Sequence, residues 1–220
     1  MKFEKVIDLS HPLRPGREAR RLEIERIEAT HITGAPSEEE WYIMHWVGMD
    51  NHIGTHIEVP YHAFEDSADL AKTAVEQLVG EAVILDLRGH SAGEGISLEE
   101  VQRVAEQADG VGEGDIVFCM TGWSQYYGKE EYNEPPFLTR EPVRWLVDRG
   151  IKMLGIDTRG SMDPAYPDRD NHLPLFEAGV AYIENLTNLE AVPESRVVVV
   201  ALPPAIEGLE GFPVRIVALL

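Results

Sequence analysis

The sequence contains almost no cysteine and no long run of apolar residues. Cys119 is the single cysteine among 220 residues, so an intrachain disulfide is excluded. This fits a reducing cytoplasm, where we expect the protein to act. The longest apolar stretch, 197–204, is far shorter than the roughly 20 residues of a membrane-spanning helix. Acidic side chains interrupt the first residues before an apolar run can form, so no secretory signal is predicted.

Basic residues are also scarce. Lys and Arg together number 19 against 39 Asp and Glu, which gives a formal net charge of −20. Such a surface repels nucleic acid phosphates and anionic lipid headgroups, so we expect neither nucleic acid nor membrane as a partner. Hydrophobic residues make up 44% of the chain, which is enough for a substantial core. Because no linker or repeat is visible, we expect a single domain over residues 1–220.

Short β-branched runs separated by helical patterns predict an α/β domain with a mixed sheet. The predicted strands cover residues 5–9, 22–28, 41–47, 82–87, 115–120, 152–156, 180–184, 197–201 and 214–219. A capping box at 97–100 predicts a helix that runs to about residue 108. Two further helices are predicted over 141–148, with Gly150 beyond its end, and over 73–78.

Four of the eight histidines fall between positions 45 and 62. In the segment 52–62 the side chains that can bind a metal all occupy even positions: His52, His56, Glu58 and His62. The odd positions hold Ile53, Thr55, Ile57, Val59 and Tyr61. An extended chain puts these two sets on opposite faces. The pattern therefore predicts a face of imidazole and carboxylate groups, backed by an apolar face that packs inward.

A helix explains this segment less well. Glu58 would point away from the two histidines, and Pro60 would interrupt the helix. The helical zinc-protease motif also needs Glu directly after the first His, where this chain has Ile53. A flat strand is strained as well, because four residues span about 13 Å. We therefore predict a bend at Gly54, which tolerates such a conformation.

A second candidate cluster lies downstream. His172 follows Asp170 and Asn171, and Glu184 stands 12 residues further along at the end of an apolar run. A carboxylate in that position is either exposed at a strand end or recruited to a site. The residues alone leave both interpretations open.

The segment 52–62 resembles the signature His-x-Gly-Thr-His-x-Asp-x-Pro-x-His of the metal-dependent cyclase family, which includes bacterial kynurenine formamidases and isatin hydrolases. Later blocks are similar too, namely Thr121-Gly122-Trp123, Gly155-Ile156-Asp157-Thr158, Ile183-Glu184-Asn185-Leu186 and Pro213-Val214-Arg215. The resemblance implies a swivelling β/β/α domain that assembles as a homodimer or a higher homo-oligomer.

The resemblance also implies site residues. By position, His52, His56 and Glu58 match the ligands of a first divalent metal, and His172 and Glu184 match those of a second. Zinc is usual in the formamidases and manganese in the isatin hydrolases. Position 58 departs from the family, because Glu replaces the usual Asp and is one methylene longer. One or two ions therefore remain open, and no organic cofactor is implied.

His62 matches the catalytic histidine of the family. We expect hydrolysis of a small cyclic amide or an aryl formamide, with His62 as general base and then general acid. The charged stretch 14–21 departs from the formamidases, which carry a tryptophan at the substrate pocket. Two alternatives stay open: a metal-stabilised small-molecule binding protein without turnover, and a metal-dependent lactonase or esterase.

Overall fold

The computed structural model describes residues 3–27, 43–160, 163, 165 and 172–220. In these ranges the strands are β1 (Val6–Asp8), β2 (Leu22–Ile27), β3 (Met44–Met49), β4 (His56–Glu58), β5 (Val79–Asp86), β6 (Gly95–Ile96), β7 (Ile116–Met120), β8 (Phe137–Leu138), β9 (Met153–Ile156), β10 (Ala181–Glu184), β11 (Arg196–Ala201), β12 (Gly211–Pro213) and β13 (Ile216–Leu219). The α-helices are α1 (Leu98–Gln107), α2 (Arg140–Asp148) and α3 (His172–Glu177).

A nine-stranded sheet organises the chain, in the order β1-β13-β11-β5-β7-β9-β10-β4-β12. Its central strands β5, β7, β9 and β10 pair in parallel, while the outer pairs are antiparallel. This confirms the predicted α/β fold with a mixed sheet. Strands β2 and β3 form a separate antiparallel pair, and β6 and β8 form a short parallel one.

The two faces of the sheet bury two distinct cores. Alternate residues of β5 and β7, such as Ala82 and Phe118, contribute to one core. Their neighbours, such as Val83 and Val117, pack on the opposite face with the helices, through residues including Val104 and Leu146. Side chains alternate between faces along a strand, so these strands, buried on both sides, appear in the sequence as continuous apolar runs.

Helix α1 begins as predicted, because the Ser97 hydroxyl accepts a hydrogen bond from the Glu100 amide at 3.3 Å. The predicted helix over 73–78 is wrong, since only a 3-10 turn, Val75–Gln77, forms there and buries none of its residues. A turn without a buried apolar face lacks the packing that stabilises short helices. The sequence interpretation missed α3, β12 and the two-residue strands β6 and β8. The predicted strand residues Glu28, Trp41 and Tyr42 lie outside the described residues, as do Asp170 and Asn171.

None of the helices in the described part of the chain combines the length and the hydropathy needed to cross a bilayer.

Candidate metal centre

Strand β4 lies between β10 and β12 at one edge of the sheet, and this arrangement gathers the candidate ligands. The register with β10 sets Glu184 opposite His56. Directly opposite residues share a face, so Glu184 and His56 project to the same side, together with Glu58 two residues along β4. Ile57 faces Ile183 and belongs to the core on the other side. The predicted alternation of polar and apolar faces is confirmed for these strands.

The chain bends just before β4, at Gly54. Its φ angle is +60°, and a side chain there would collide with Leu13. The bend returns His52 toward His56, so that their ring centroids are 5.1 Å apart. The predicted bend is confirmed, and it explains how two histidines four residues apart reach one site.

Glu58 is the centre of the cluster. Its Oε1 lies 2.7 Å from Nδ1 of His52 and 3.2 Å from Nε2 of His56. Its Oε2 lies 3.5 Å from Nε2 of His172. Burial opposes ionisation of Glu58, but hydrogen bonds with the two histidines hold its pKa well below the ordinary range. Glu58 is therefore a carboxylate with one oxygen toward each half of the site.

The second half of the site contains His172 and Glu184. His172 is the first residue of α3, and its Nε2 lies 3.2 Å from Oε1 of Glu184. The other Glu184 oxygen lies 3.7 Å from Nε2 of His56. The structure thus brings together all five residues that the family resemblance implied as ligands. The ligand atoms of His52, His56 and Glu58 all lie within 4.8 Å of one another. The same holds for Glu58, His172 and Glu184, so Glu58 belongs to both groups.

The donor set fits a divalent metal. Glu58 Oε2 is buried and has no hydrogen-bond partner among the described residues. Such an atom is costly unless it meets a donor or a cation. Glu184 and Glu210 add two more carboxylates beside three imidazoles, and both are ligand types that divalent metals take. Imidazole and carboxylate ligands suit both zinc and manganese.

A hydrogen-bond chain fixes the orientation of His56. Its Nδ1 donates to the Gly54 carbonyl at 2.9 Å, which turns Nε2 toward Glu58. The same carbonyl accepts from the Asn185 amide at 2.8 Å, and the Tyr132 hydroxyl donates to Asn185 Oδ1 at 2.7 Å. Outer contacts of this kind fix the tautomer of a metal-binding histidine.

Glu210 is a site residue that the sequence interpretation missed. It directly precedes β12, whose Gly211 pairs with Glu58, and it stands 158 residues beyond His52. Its Oε1 lies 3.0 Å from Nε2 of His52 and 2.7 Å from Nδ2 of Asn51. The sequence separation of Glu210 and His52 does not predict this contact. A glycine next to it is required, since a Cβ at position 211 would lie 2.9 Å from the Ile57 carbonyl.

His62 lies beside these two candidate ligand groups without belonging to either. It ends a 3-10 turn, Pro60–His62, and its exposed ring is 4.8 Å from the His52 ring, centroid to centroid. Together with His52 and Glu210 it forms a third group whose donor atoms fall within 4.8 Å. It is exposed and lines the same cleft as the two groups.

The candidate residues line one cleft of about 1010 Å³. His52, His56, Glu58, His62, His172, Glu184 and Glu210 all contribute to its wall. Buried His56 and Glu58 form its inner part, whereas exposed residues from the segments 17–20 and 128–130 lie at its rim. A concave site with convergent polar groups is typical of a small-molecule site.

Comparison with known proteins gives a consistent result. The model of the Cyclase family matches residues 7–163. Kynurenine formamidase from Bacillus cereus is 30% identical over 177 residues, which cover 77% of this chain and 76% of that protein. Isatin hydrolase from Roseibium aggregatum is 23% identical over 221 residues, 88% of this chain and 81% of that one. Isatin hydrolase A from Ralstonia solanacearum has a similar fold, with a TM-score of 0.85 at 23% identity over 98% of this chain and 92% of that one.

Proposed function

The chain belongs to the Cyclase family, and we propose that it is a metal-dependent hydrolase of small non-peptide amides. Its relatives include a kynurenine formamidase and an isatin hydrolase. We propose an aryl formamide or a small cyclic amide as the substrate. The proposed metal ligands are His52, His56, Glu58, His172 and Glu184.

One observation supports this function above the others. The buried carboxylate of Glu58 turns Oε1 toward His52 and His56 and Oε2 toward His172, and Oε2 has no hydrogen-bond partner among the described residues. A carboxylate in that position can serve two neighbouring metal ions. The extra methylene of Glu58 relative to Asp is therefore compatible with a bridging role, and we propose one or two ions of zinc or manganese.

A divalent metal in this position supplies Lewis-acid polarisation of a carbonyl and lowers the pKa of water. The hydrolysis itself is balanced without a further co-reactant. Water adds its oxygen to the amide carbonyl carbon, and the C–N bond breaks with its electron pair on nitrogen. One proton from the water ends on that nitrogen, and the acyl group leaves as a carboxylic acid that ionises.

We propose that His62 transfers this proton. It first accepts a proton from the attacking water and then donates it to the departing nitrogen, and a histidine can do both near neutral pH. The exposed ring of His62 beside His52 supports this role, because a proton carrier has to reach both the inner part of the cleft and the substrate. Asn185 and Tyr132 assist by holding the backbone against which His56 is oriented.

The experiment is a hydrolysis assay on formanilide, isatin and a peptide amide. The purified protein is assayed as isolated, after chelator treatment, and after addition of zinc or manganese. We expect hydrolysis of formanilide or isatin, loss of activity with chelator, recovery with metal, and no cleavage of the peptide. The control variant His45→Ala should behave like the wild type in these assays, because His45 is an exposed histidine on β3 outside the cleft. Peptide cleavage without hydrolysis of either small amide would refute the proposal.

A further inference from the structure

Asp69 is a buried carboxylate that the proposed hydrolysis does not use. Its side chain is 4% exposed and lies outside the wall of the cleft. Its ion-pair partner is the exposed Lys72, whose Nζ lies 3.6 Å from Oδ2. Burying a carboxylate is costly unless hydrogen bonds stabilise its charge. The hydrogen bonds that Asp69 accepts therefore have to offset the cost of its burial.

The two oxygens of Asp69 join two different segments of the chain. Oδ1 accepts a hydrogen bond from the Lys72 amide at 3.0 Å, within the same turn. Oδ2 accepts one from the Gly208 amide at 2.9 Å, and Gly208 stands 139 residues further along. The bond from Gly208 is the main cause that lowers the pKa of Asp69 from its ordinary value. Asp69 thus links its own turn to the loop that contains Gly208.

This loop carries Glu210, the carboxylate beside His52. Gly208 has a φ angle of +79° and precedes Glu210 by two residues. The carbonyl of Leu209 accepts a hydrogen bond from the Leu70 amide at 3.0 Å. The carbonyl of Glu210 accepts one from the Val59 amide at 2.9 Å. Three consecutive loop residues are therefore held, the first two of them by Asp69 and its neighbour Leu70.

The position of Glu210 depends on these contacts, because the strand that follows it is short. Strand β12 has three residues at one edge of the large sheet, and among the described strands it pairs with β4 alone. An edge strand has a hydrogen-bonded neighbour on one side only. Oε1 of Glu210 lies 3.0 Å from Nε2 of His52, and a loop shift of about 1 Å would break this hydrogen bond.

Building on the metal centre of the proposed function, we propose that Asp69 is a positioning residue for that centre. It holds the loop 208–210 through the Gly208 amide, and the loop in turn holds Glu210 against His52. Asp69 touches neither the cleft nor a proposed metal ligand, so its whole effect on the site passes through Glu210. The contact between Glu210 and His52 fixes which ring nitrogen of His52 carries a proton, and thereby sets the metal affinity.

Zinc titrations against a chelating dye test this route in four proteins: the wild type, Asp69→Ala, Glu210→Ala and the double variant. Asp69→Ala should lower the zinc affinity of the wild type by about 3–10-fold, a part of the effect of losing the outer carboxylate itself. In the Glu210→Ala background the same substitution should change the affinity less than about twofold, because nothing remains to be positioned. Equal losses in both backgrounds, or no loss in the wild type, would overturn the inference.

Thr73→Val is the matched control for damage to the turn that contains Asp69. It removes the hydrogen bond from the Thr73 hydroxyl to the Asp69 carbonyl, which is 2.9 Å long, and keeps the Asp69 carboxylate. Its zinc affinity should equal that of the wild type. Asp69→Asn keeps the shape of the side chain and one acceptor oxygen, and should show a smaller loss. This second variant carries the test if Asp69→Ala does not fold.

A further measurement uses the metal-free protein, so it depends on neither zinc binding nor hydrolysis. Side-chain ¹H–¹⁵N spectra should show the Nε2–H resonance of His52 in the wild type and in Thr73→Val. In Asp69→Ala and Asp69→Asn this resonance should be broadened by exchange with water, since the hydrogen bond to Glu210 is weakened. A resonance that is unchanged in these variants, or absent from the wild type, would overturn the inference. A wild type that binds no zinc would refute the proposed function, and the spectra would still decide the role of Asp69.

Discussion

Glu210 Oε1 lies 3.0 Å from Nε2 of His52, on the opposite side of the ring from Glu58, whose Oε1 lies 2.7 Å from Nδ1. With a carboxylate at each ring nitrogen, both nitrogens of His52 donate, and the hydrogen bond with Glu58 raises the pKa of His52. If Nδ1 gave up its proton to bind a metal, Glu210 would still accept a hydrogen bond from Nε2–H and fix the tautomer. His56 has the reverse arrangement, because its Nδ1 donates to the Gly54 carbonyl. We therefore expect the two histidines to bind metal through opposite ring nitrogens.

The first prediction concerns this contact. Replacing Glu210 by Ala should weaken metal binding by about 10–100-fold, the usual effect of losing an outer carboxylate partner of a ligating histidine. Glu210→Gln should have a smaller effect, since its amide oxygen can still accept a hydrogen bond from the Nε2–H group of His52. Competition titrations against a chelating dye measure both affinities. Glu207→Ala, an exposed residue in the same loop, is the control. An unchanged affinity in Glu210→Ala would show that Glu210 does not orient His52.

The second prediction concerns the number of metal ions. Glu184→Gln removes a carboxylate charge from the group that contains Glu58 and His172 while leaving His52 and His56 in place. We expect fewer metal ions per chain in a protein that stays folded. Elemental analysis together with circular dichroism checks both parts. If the metal count stays the same, Glu184 is not a ligand of a second ion.

The third prediction separates binding from proton transfer at His62. His62→Gln should keep its metal and lower kcat by about 10²–10⁴-fold with little change in KM, because general acid–base catalysis contributes in the transition state. Steady-state kinetics and metal analysis of the same preparation measure these effects. Loss of metal would instead identify His62 as a ligand, consistent with the third group that it forms with His52 and Glu210.

The fourth prediction concerns how the protonation of His11 affects the stability of the fold at acid pH. Burial, aided by Arg14, lowers the pKa of His11 to about 4. The unfolded chain therefore takes up a proton at His11 near pH 6.5, whereas the folded chain takes it up only near pH 4. The free energy of unfolding consequently falls as the pH drops from 6.5 toward 4. His11→Phe keeps the stacking on Tyr127 and removes this titration.

The free energy of unfolding of His11→Phe should rise relative to the wild type by about 1–2 kcal/mol between pH 7 and pH 4.5, after allowance for the partial exposure of the ring. Urea unfolding of both proteins at the two pH values measures this difference. A difference that stays constant with pH would mean that His11 titrates alike in the folded and unfolded chains.

Local patterns in the sequence predicted most strands and both long helices. The strands β5, β7 and β9 are continuous apolar runs because both of their faces are buried, and Ser97 marks the start of α1. The six-residue helix α3 and the three-residue strand β12 were missed, because elements this short depend on tertiary contacts more than on periodicity. The single-domain organisation, the homo-oligomer and the cytoplasmic location stay predictions.

The candidate site was predictable where the chemistry is local. The segment 52–62 carries its ligands on one face within a few residues, and Gly54 marks the bend. Glu210 could not be predicted in this way, because only the pairing of β12 with β4 brings it to His52 from 158 residues away.

The metal content of the purified protein tests the central claim most directly. Elemental analysis of protein prepared without added metal should find at least one zinc or manganese ion per chain. The double variant His52→Ala with His56→Ala should lose metal from its site, while the exposed control His45→Ala retains it. A double variant that stays folded and keeps its full complement of metal would contradict the assignment of this cluster as the metal centre.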